Sequence, residues 1–239
     1  MAVSTNRFVA HFDMLGTKSL VRRDADIAWQ KLSDLARTAK EKLTQLGIQR
    51  VDTGEMIEDR VHYFIFSDTI VAYTGKDDEN DALCIQILAT ELFIGALSLC
   101  IPLRGGIAYG RFDFNADLHL FSGPALVDAY EMGESCQWLG IVLDCQTAQA
   151  FTELTTGHST SGEKVVVPYH VPCGKDGELH KHMVINWVAS HHGNFKGSAP
   201  LTLEAFYAPF EKLFGPLERL PKRVVTKYEN TVAFFNRHY

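Results

Sequence analysis

Two aspartates close apolar, strand-like runs: Asp13 in Arg7-Phe-Val-Ala-His-Phe-Asp-Met-Leu-Gly16, and Asp68 in Val61-His-Tyr-Phe-Ile-Phe-Ser-Asp-Thr-Ile70. A carboxylate is costly to desolvate at a sheet unless a cation neutralises it. Two of them converging on one sheet edge supply hard oxygen ligands for divalent ions such as Mg or Mn. Two ions about 3.5 to 4 Å apart can activate an attacking hydroxyl and hold a polyphosphate leaving group, which is the chemistry of phosphoryl and nucleotidyl transfer. The backbone N–H groups of Met14, Leu15, Gly16 and Thr17 follow the first aspartate, where a loop entering a helix can cradle phosphate oxygens. Taken singly, Asp13 reads better as a helix cap and Asp68 as a turn residue. Their juxtaposition is what would make a site.

That juxtaposition depends on the elements around them. Arg7 to Phe12 reads as a strand, and Gly16 opens a polar loop. From Asp24 to Leu46, Ile27, Leu32, Leu35, Ala39, Leu43 and Leu46 recur at helical spacing, with Asp24 as N-cap and Gly47 as the stop. Residues 48–60 are polar and read as a loop. Val61 to Phe66 and Thr69 to Tyr73 read as a hairpin with Ser67-Asp68 at its turn, although tight hairpins favour glycine there. Residues 79–99 return to helix with Leu83, Leu88, Leu92 and Ala96 inward, and residues 101–110 form a glycine-marked strand.

The order strand, helix, strand, strand, helix, strand is an α+β arrangement, the ferredoxin-like βαββαβ core, in which the end of the first strand lies beside the hairpin turn. Additional C-terminal strands and helices follow. Gly123 to Trp138 reads as helix, Gly140 to Leu143 as strand and Gln146 to Leu154 as helix. Two or three strands are expected between 164 and 188, and helices near 202–214 and 217–236. The expected organisation is a single domain over 1–239, with its core at about 7–145 and a C-terminal extension over 146–239.

Twenty-three basic against 29 acidic residues give a net charge of -6, which argues against a nonspecific grip on nucleic acid. Five cysteines, odd in number and without a C-x-x-C pair, suit reduced thiols in a cytoplasm. His180, His182, His191 and His192 lie near Cys173, but their spacing matches no structural zinc motif and the segment reads as a loop. No basic leader and no run of about 18 apolar residues stands out, so a soluble, cytoplasmic protein that does not engage a membrane is expected.

Phe8-Val-Ala-His-Phe-Asp-Met-Leu-Gly16, Phe66-Ser-Asp-Thr69, Leu103-Arg-Gly-Gly-Ile-Ala-Tyr-Gly110 and Gly123-Pro-Ala-Leu-Val-Asp-Ala-Tyr130 occur in the order of the class III nucleotidyl cyclase catalytic domain. Over residues 7–145 the chain resembles that family, and most of all the bacterial pyrimidine cyclases of Pycsar anti-phage systems. The resemblance implies a homodimer with active sites at the subunit interface, and Asp13, Met14 and Asp68 as the positions that hold Mg or Mn. The ribose 3'-hydroxyl of a nucleoside triphosphate would attack its own α-phosphate and release pyrophosphate. A separate effector protein would be activated by the cyclic nucleotide.

Departures from the purine cyclases sharpen the expectation. Phe64 and Leu120 stand where those enzymes read the purine, so both nucleotide-binding positions are apolar and a pyrimidine is implied. Asp128 and Met132 occupy the positions of the transition-state Asn and Arg. Arg104 is the leading replacement, with Arg111 next, because an arginine fork suits developing phosphoryl charge. Lys222, Arg223 and Lys227 form a basic helical face within reach of a triphosphate, or a merely solvated one. Tyr109, Phe112 and Phe114 read as strand packing, and Tyr130-Glu131 as facing the dimer partner. The favoured reading is a uridylate cyclase, making 3',5'-cyclic UMP from UTP in antiviral defence. Cytidylate cyclase, purine cyclase and an inactive nucleotide-binding sensor follow in that order.

Overall fold

Alternation along one strand sets up the architecture. In β1 (Val3–Met14), Phe8, Ala10, Phe12 and Met14 are buried in the main core, while Val9 enters a second, smaller cluster with Val71, Tyr73, Phe112 and Ala125. Successive strand side chains point to opposite faces, so both faces of β1 are covered and its Phe8 to Phe12 stretch is apolar but for His11. The computed structural model describes residues 3–48, 60–115, 117–118, 120–154, 164–190 and 200–239. The expected loop at 48–60 lies almost wholly outside them.

β1 pairs antiparallel with both β3 (Thr69–Thr74) and β4 (Leu103–Asn115), and β2 (Val61–Phe66) pairs with β3. The sheet order β2-β3-β1-β4 is that of the ferredoxin-like core, continued by β6 (Ile141–Leu143), β8 (Glu178–Ile185) and β7 (Val166–Cys173). Only the β4–β6 pairing is parallel among the described strands. The C-terminal hairpin therefore prolongs the same sheet. A short β5 (Leu120–Ser122) adds to the far end of β4.

Helices α2 (Ala25–Ile48) and α3 (Glu79–Ser98) cover one face. Asp24 caps α2 as expected, its Oδ1 accepting from the N–H of Ile27 at 3.0 Å. Gly47 does not stop α2, which runs through it. α3 is long and apolar enough to cross a membrane, with a mean hydropathy of 1.5, yet two thirds of that window is buried inside the fold. The opposite face carries α4 (Pro124–Ser135), shorter than the expected 123–138, packed on β1 and β4.

A close backbone approach seats α4. A Cβ on Gly106 would sit 2.4 Å from the Ala129 carbonyl oxygen, and one on Gly133 would sit 2.9 Å from the carbonyl carbon of Gly105. Only glycine permits this contact, which accounts for Gly106 in β4 and Gly133 in α4; a Cβ on Gly105 would instead meet the His11 carbonyl oxygen of β1 at 2.5 Å. Helix α5 (Cys145–Leu154) follows β6, and α6 (Trp187–Ser190) follows β8. Helices α7 (Leu203–Phe214) and α8 (Lys222–His238) close the chain, with a 3-10 turn at Leu217–Arg219 before α8. Phe234 of α8 meets Trp138 and Tyr169 edge-on at centroid distances of 5.0 and 4.9 Å, a contact that contributes about 1 kcal/mol beyond area burial.

At the start of α3, Asp78 and Asp81 form a reciprocal capping box, and Arg60 pairs with both. Burial, with the Asp78 charge adding to it, pushes Asp81 up to about 6 from the usual 3.8. A carboxyl raised in the folded state binds its proton more tightly there than in the unfolded chain. Its contribution to stability therefore rises as pH falls through about 6 and levels off below 3.8. Asp81→Asn is expected to raise the thermal midpoint at neutral pH and to flatten its pH dependence down to about pH 4, read by thermal melts across that range.

Candidate active site

The end of β1 and the β2–β3 turn meet because Asp13 is registered against Thr69 across the β1–β3 pair. Ser67 adopts φ 58 in the two-residue turn, taking the backbone conformation that glycine usually supplies and so letting the hairpin close. The Met14 N–H then donates to the Asp68 carbonyl at 2.8 Å. Asp13 and Asp68 thereby line one cleft of about 340 Å³, together with His11, Met14, Leu15, Gly16, Lys18, Thr69, Arg104, Tyr130 and Glu134. Their side chains are 22% and 19% exposed, open enough to accept a ligand from solvent.

Arg104 faces Asp13 from β4, where the two are register partners. Its Nε and Nη2 donate to Asp13 Oδ2 at 3.4 and 3.3 Å, and Nη1 donates to the carbonyls of Glu134 and Cys136 at 2.9 and 3.1 Å. Nη2 also pairs with the Glu134 carboxylate. All five N–H groups of the guanidinium thus have acceptors within the chain, and the side chain is only 8% exposed. As arranged, Arg104 holds Asp13 and the end of α4 together and forms part of the cleft wall with its N–H groups already engaged. Burial raises Asp13 above its usual value, with Arg104 opposing and Glu134 adding to the rise. Burial lowers His11, which packs edge-on against Tyr130 at 5.0 Å.

The expected phosphate cradle is narrower than its four residues. The Leu15 N–H donates to Pro102 at 2.8 Å, and that of Met14 is engaged as above, so neither is open to a phosphate. Gly16, at φ 79, turns the chain into α1 (Thr17–Arg23), a helix where the sequence reads as loop. The Thr17 hydroxyl donates back to the Met14 carbonyl at 2.9 Å. The Met14 side chain is buried in the core, so only its carbonyl could reach a metal.

Phe64 and Leu120 do not join the cleft. Phe64 stacks on Phe121 at 4.7 Å, and Leu120 is 57% exposed on β5. Of the basic face on α8, Arg223 and Lys227 line an adjoining cleft of about 900 Å³ that shares Leu15, Gly16, Arg104 and Glu134 with the first, and Lys222 does not. Lys227 donates to Gln137 at 3.0 Å, and burial, with Arg104 beside it, draws its pKa down to about 8. Arg111 pairs with Asp113 on β4. Asp128 is exposed, and Met132 packs against the core. Tyr130 faces the cleft of its own chain. Lys18 and Glu134 were not anticipated as cleft residues. The signal for Glu134 is its place one turn after Tyr130 and beside Gly133, on the face that meets β4.

The segment expected as a loop around His180 and His182 is the β7–β8 hairpin, which brings His182 Nε2 to 3.7 Å from Cys173 Sγ. His191 and His192 lie outside the described residues.

The sequence matches no family model and no curated protein. Solved structures do resemble it. Two structures of bacterial light-regulated adenylyl cyclases align at a TM-score of 0.51, with 8% and 10% identity over 88% and 89% of this chain. The alignments span 97% of the first of those chains and 58% of the second. The catalytic core of a rhodopsin-guanylyl cyclase with converted specificity, in complex with ATPalphaS, aligns at 0.48 with 15% identity, over 77% of this chain and 97% of that one. The chain thus has the fold of a class III nucleotidyl cyclase catalytic domain.

Proposed function

We propose that the protein is a nucleotidyl cyclase acting on a pyrimidine nucleoside triphosphate, UTP before CTP. The observation that carries this reading is the convergence of Asp13 and Asp68 on one cleft in a chain with a cyclase fold. The donor set fits hard divalent ions: two carboxylates and, at Met14, a carbonyl oxygen, the Met14 thioether being buried in the core. Mg or Mn bound there would supply Lewis-acid charge to the 3'-hydroxyl and the polyphosphate.

The chain's own residues do the rest. Arg104 and Glu134 hold the Asp13 carboxylate in place, and Arg104 balances part of its charge before substrate arrives. Gly16 and Lys18 border the cleft, and Arg223 and Lys227 border its continuation, so a polyphosphate lying across both meets cations. In the reaction the 3'-hydroxyl gives up its proton to solvent, its oxygen bonds to the α-phosphorus, the bond from that phosphorus to the bridging oxygen breaks, and pyrophosphate leaves. Phe64 and Leu120, away from the cleft of their own chain, would serve the site of a second copy in a homodimer whose active sites lie at the interface. The cyclic product would act as a messenger on a separate effector in anti-phage defence.

Exposed Asp128 and core-packed Met132, in place of the transition-state Asn and Arg, favour a second reading, a nucleotide-binding protein without turnover. One assay separates them. Purified protein is given each of the four ribonucleoside triphosphates with Mn, and pyrophosphate and the nucleotide product are measured. Cyclic UMP or cyclic CMP is the expected product. Binding without pyrophosphate supports the sensor, and turnover of ATP or GTP alone removes the pyrimidine assignment.

A further inference from the structure

We infer that Cys136, Cys173 and His182 form a zinc site, separate from the carboxylate cleft and independent of the cyclase reading. Cys136 follows α4, and its backbone bridges to Cys173 at the end of β7. The Gln137 N–H donates to Pro172 at 2.7 Å, and the Gly174 N–H to Ser135 at 2.8 Å. This pairing sets the two sulfurs 3.6 Å apart, and β8 brings His182 Nε2 to 3.7 Å from Cys173 Sγ. All three donor atoms lie within 4.8 Å of one another.

The spacing is that of a coordination polyhedron. Tetrahedral zinc, with Zn–S of about 2.3 Å and Zn–N of about 2.0 Å, separates two sulfurs by about 3.8 Å and a sulfur from a nitrogen by about 3.6 Å. Cys136 and Cys173 are only 1% and 5% exposed, so the sulfurs are shielded while the half-buried imidazole leaves an approach from solvent. Two sulfurs and an imidazole select a borderline-soft ion over Mg or Mn. His180 stacks against His182 but does not join the three clustered donor atoms, and water would complete the coordination.

Zinc here clasps the end of α4 to the β7–β8 hairpin. The Cys136 carbonyl is also an acceptor of Arg104, so the clasp fixes one wall of the anchorage around Asp13.

The test uses reduced, chelator-stripped full-length protein titrated with Zn²⁺ against a chromogenic chelator, and with Co²⁺ as a spectroscopic probe. The expected result is one equivalent of zinc per chain, with a thiolate-to-cobalt charge-transfer band and intense tetrahedral visible bands. His182→Ala, at a half-buried position that keeps the fold by circular dichroism, weakens zinc binding by about 100-fold or more. Cys173→Ser reduces the charge-transfer band, and Cys145→Ser, at an exposed cysteine, changes neither. The inference is overturned if zinc binds below stoichiometry, if His182→Ala binds as tightly as the parent, or if uptake is lost on Asp13→Ala instead. A reduced protein that refuses zinc and forms a Cys136–Cys173 disulfide overturns it as well.

Discussion

Asp13→Ala and Asp68→Ala are each expected to lower nucleotide cyclisation by about 10³-fold or more, since the charge stabilisation removed is several kcal/mol and each 1.4 kcal/mol is about tenfold. The fold should survive both. Asp13 is partly desolvated and its pKa is raised by burial, so the carboxylate is a charge the native state tolerates rather than one it depends on. Arg104 keeps Glu134 and two backbone carbonyls when Asp13 is gone. Asp68 sits at an exposed turn and is 3.8 Å from the solvated Lys18, a pair that contributes little. The measurement is pyrophosphate release alongside a thermal melt. A variant that keeps activity removes the carboxylate assignment, and one that unfolds shows a structural role instead.

Arg104→Met should behave in the opposite way, losing stability as well as activity. It strips the counter-charge from two carboxylates and leaves the Glu134 and Cys136 carbonyls without their donor. Breaking a buried ion pair from one side costs about 3 kcal/mol or more. Both carboxylates here are partly solvated, so about 2 to 3 kcal/mol is expected, a fall of roughly 5 to 10 °C in a chain of this size. Arg104→Lys retains the charge but not the fork, and is expected to recover part of the stability with little of the activity. If Arg104→Met melts with the parent and only turnover suffers, the guanidinium reaches into the cleft during the reaction.

The pairing of Asp13 with Asp68 is legible in the sequence because strand alternation and the split βαβ order act together, and neither needs a side-chain contact to be known. What sequence hides has local causes. α1 reads as loop because it offers few inward side chains, with Thr17 and Leu20 its buried residues. β5 is three residues long, with both of its end residues exposed. The first half of β8 extends past β6, which pairs only with Met183 and Val184. Its Glu178 to His182 stretch, paired with β7 alone, is therefore polar and reads as a loop. That misreading concealed the meeting of His182 with Cys173. Arg104 was visible as a cation near the sheet edge, but its acceptors come from two segments far apart in the chain, Asp13 on β1 and Glu134 and Cys136 at the end of α4, and no spacing rule anticipates such a convergence. Phe64 and Leu120 were placed by family register, and each lies outside the cleft of its own chain.

The glycine contact between α4 and β4 has a mechanical consequence. Interlocked side chains absorb a displacement by changing rotamers, whereas Gly105, Gly106 and Gly133 leave backbone pressed on backbone with nothing compliant between. The end of α4, where Cys136 and Glu134 sit, is thus seated directly on the backbone of the strand carrying Arg104. The position of the Asp13 carboxylate is thereby tied, through Arg104, to the seating of one helix on a glycine contact.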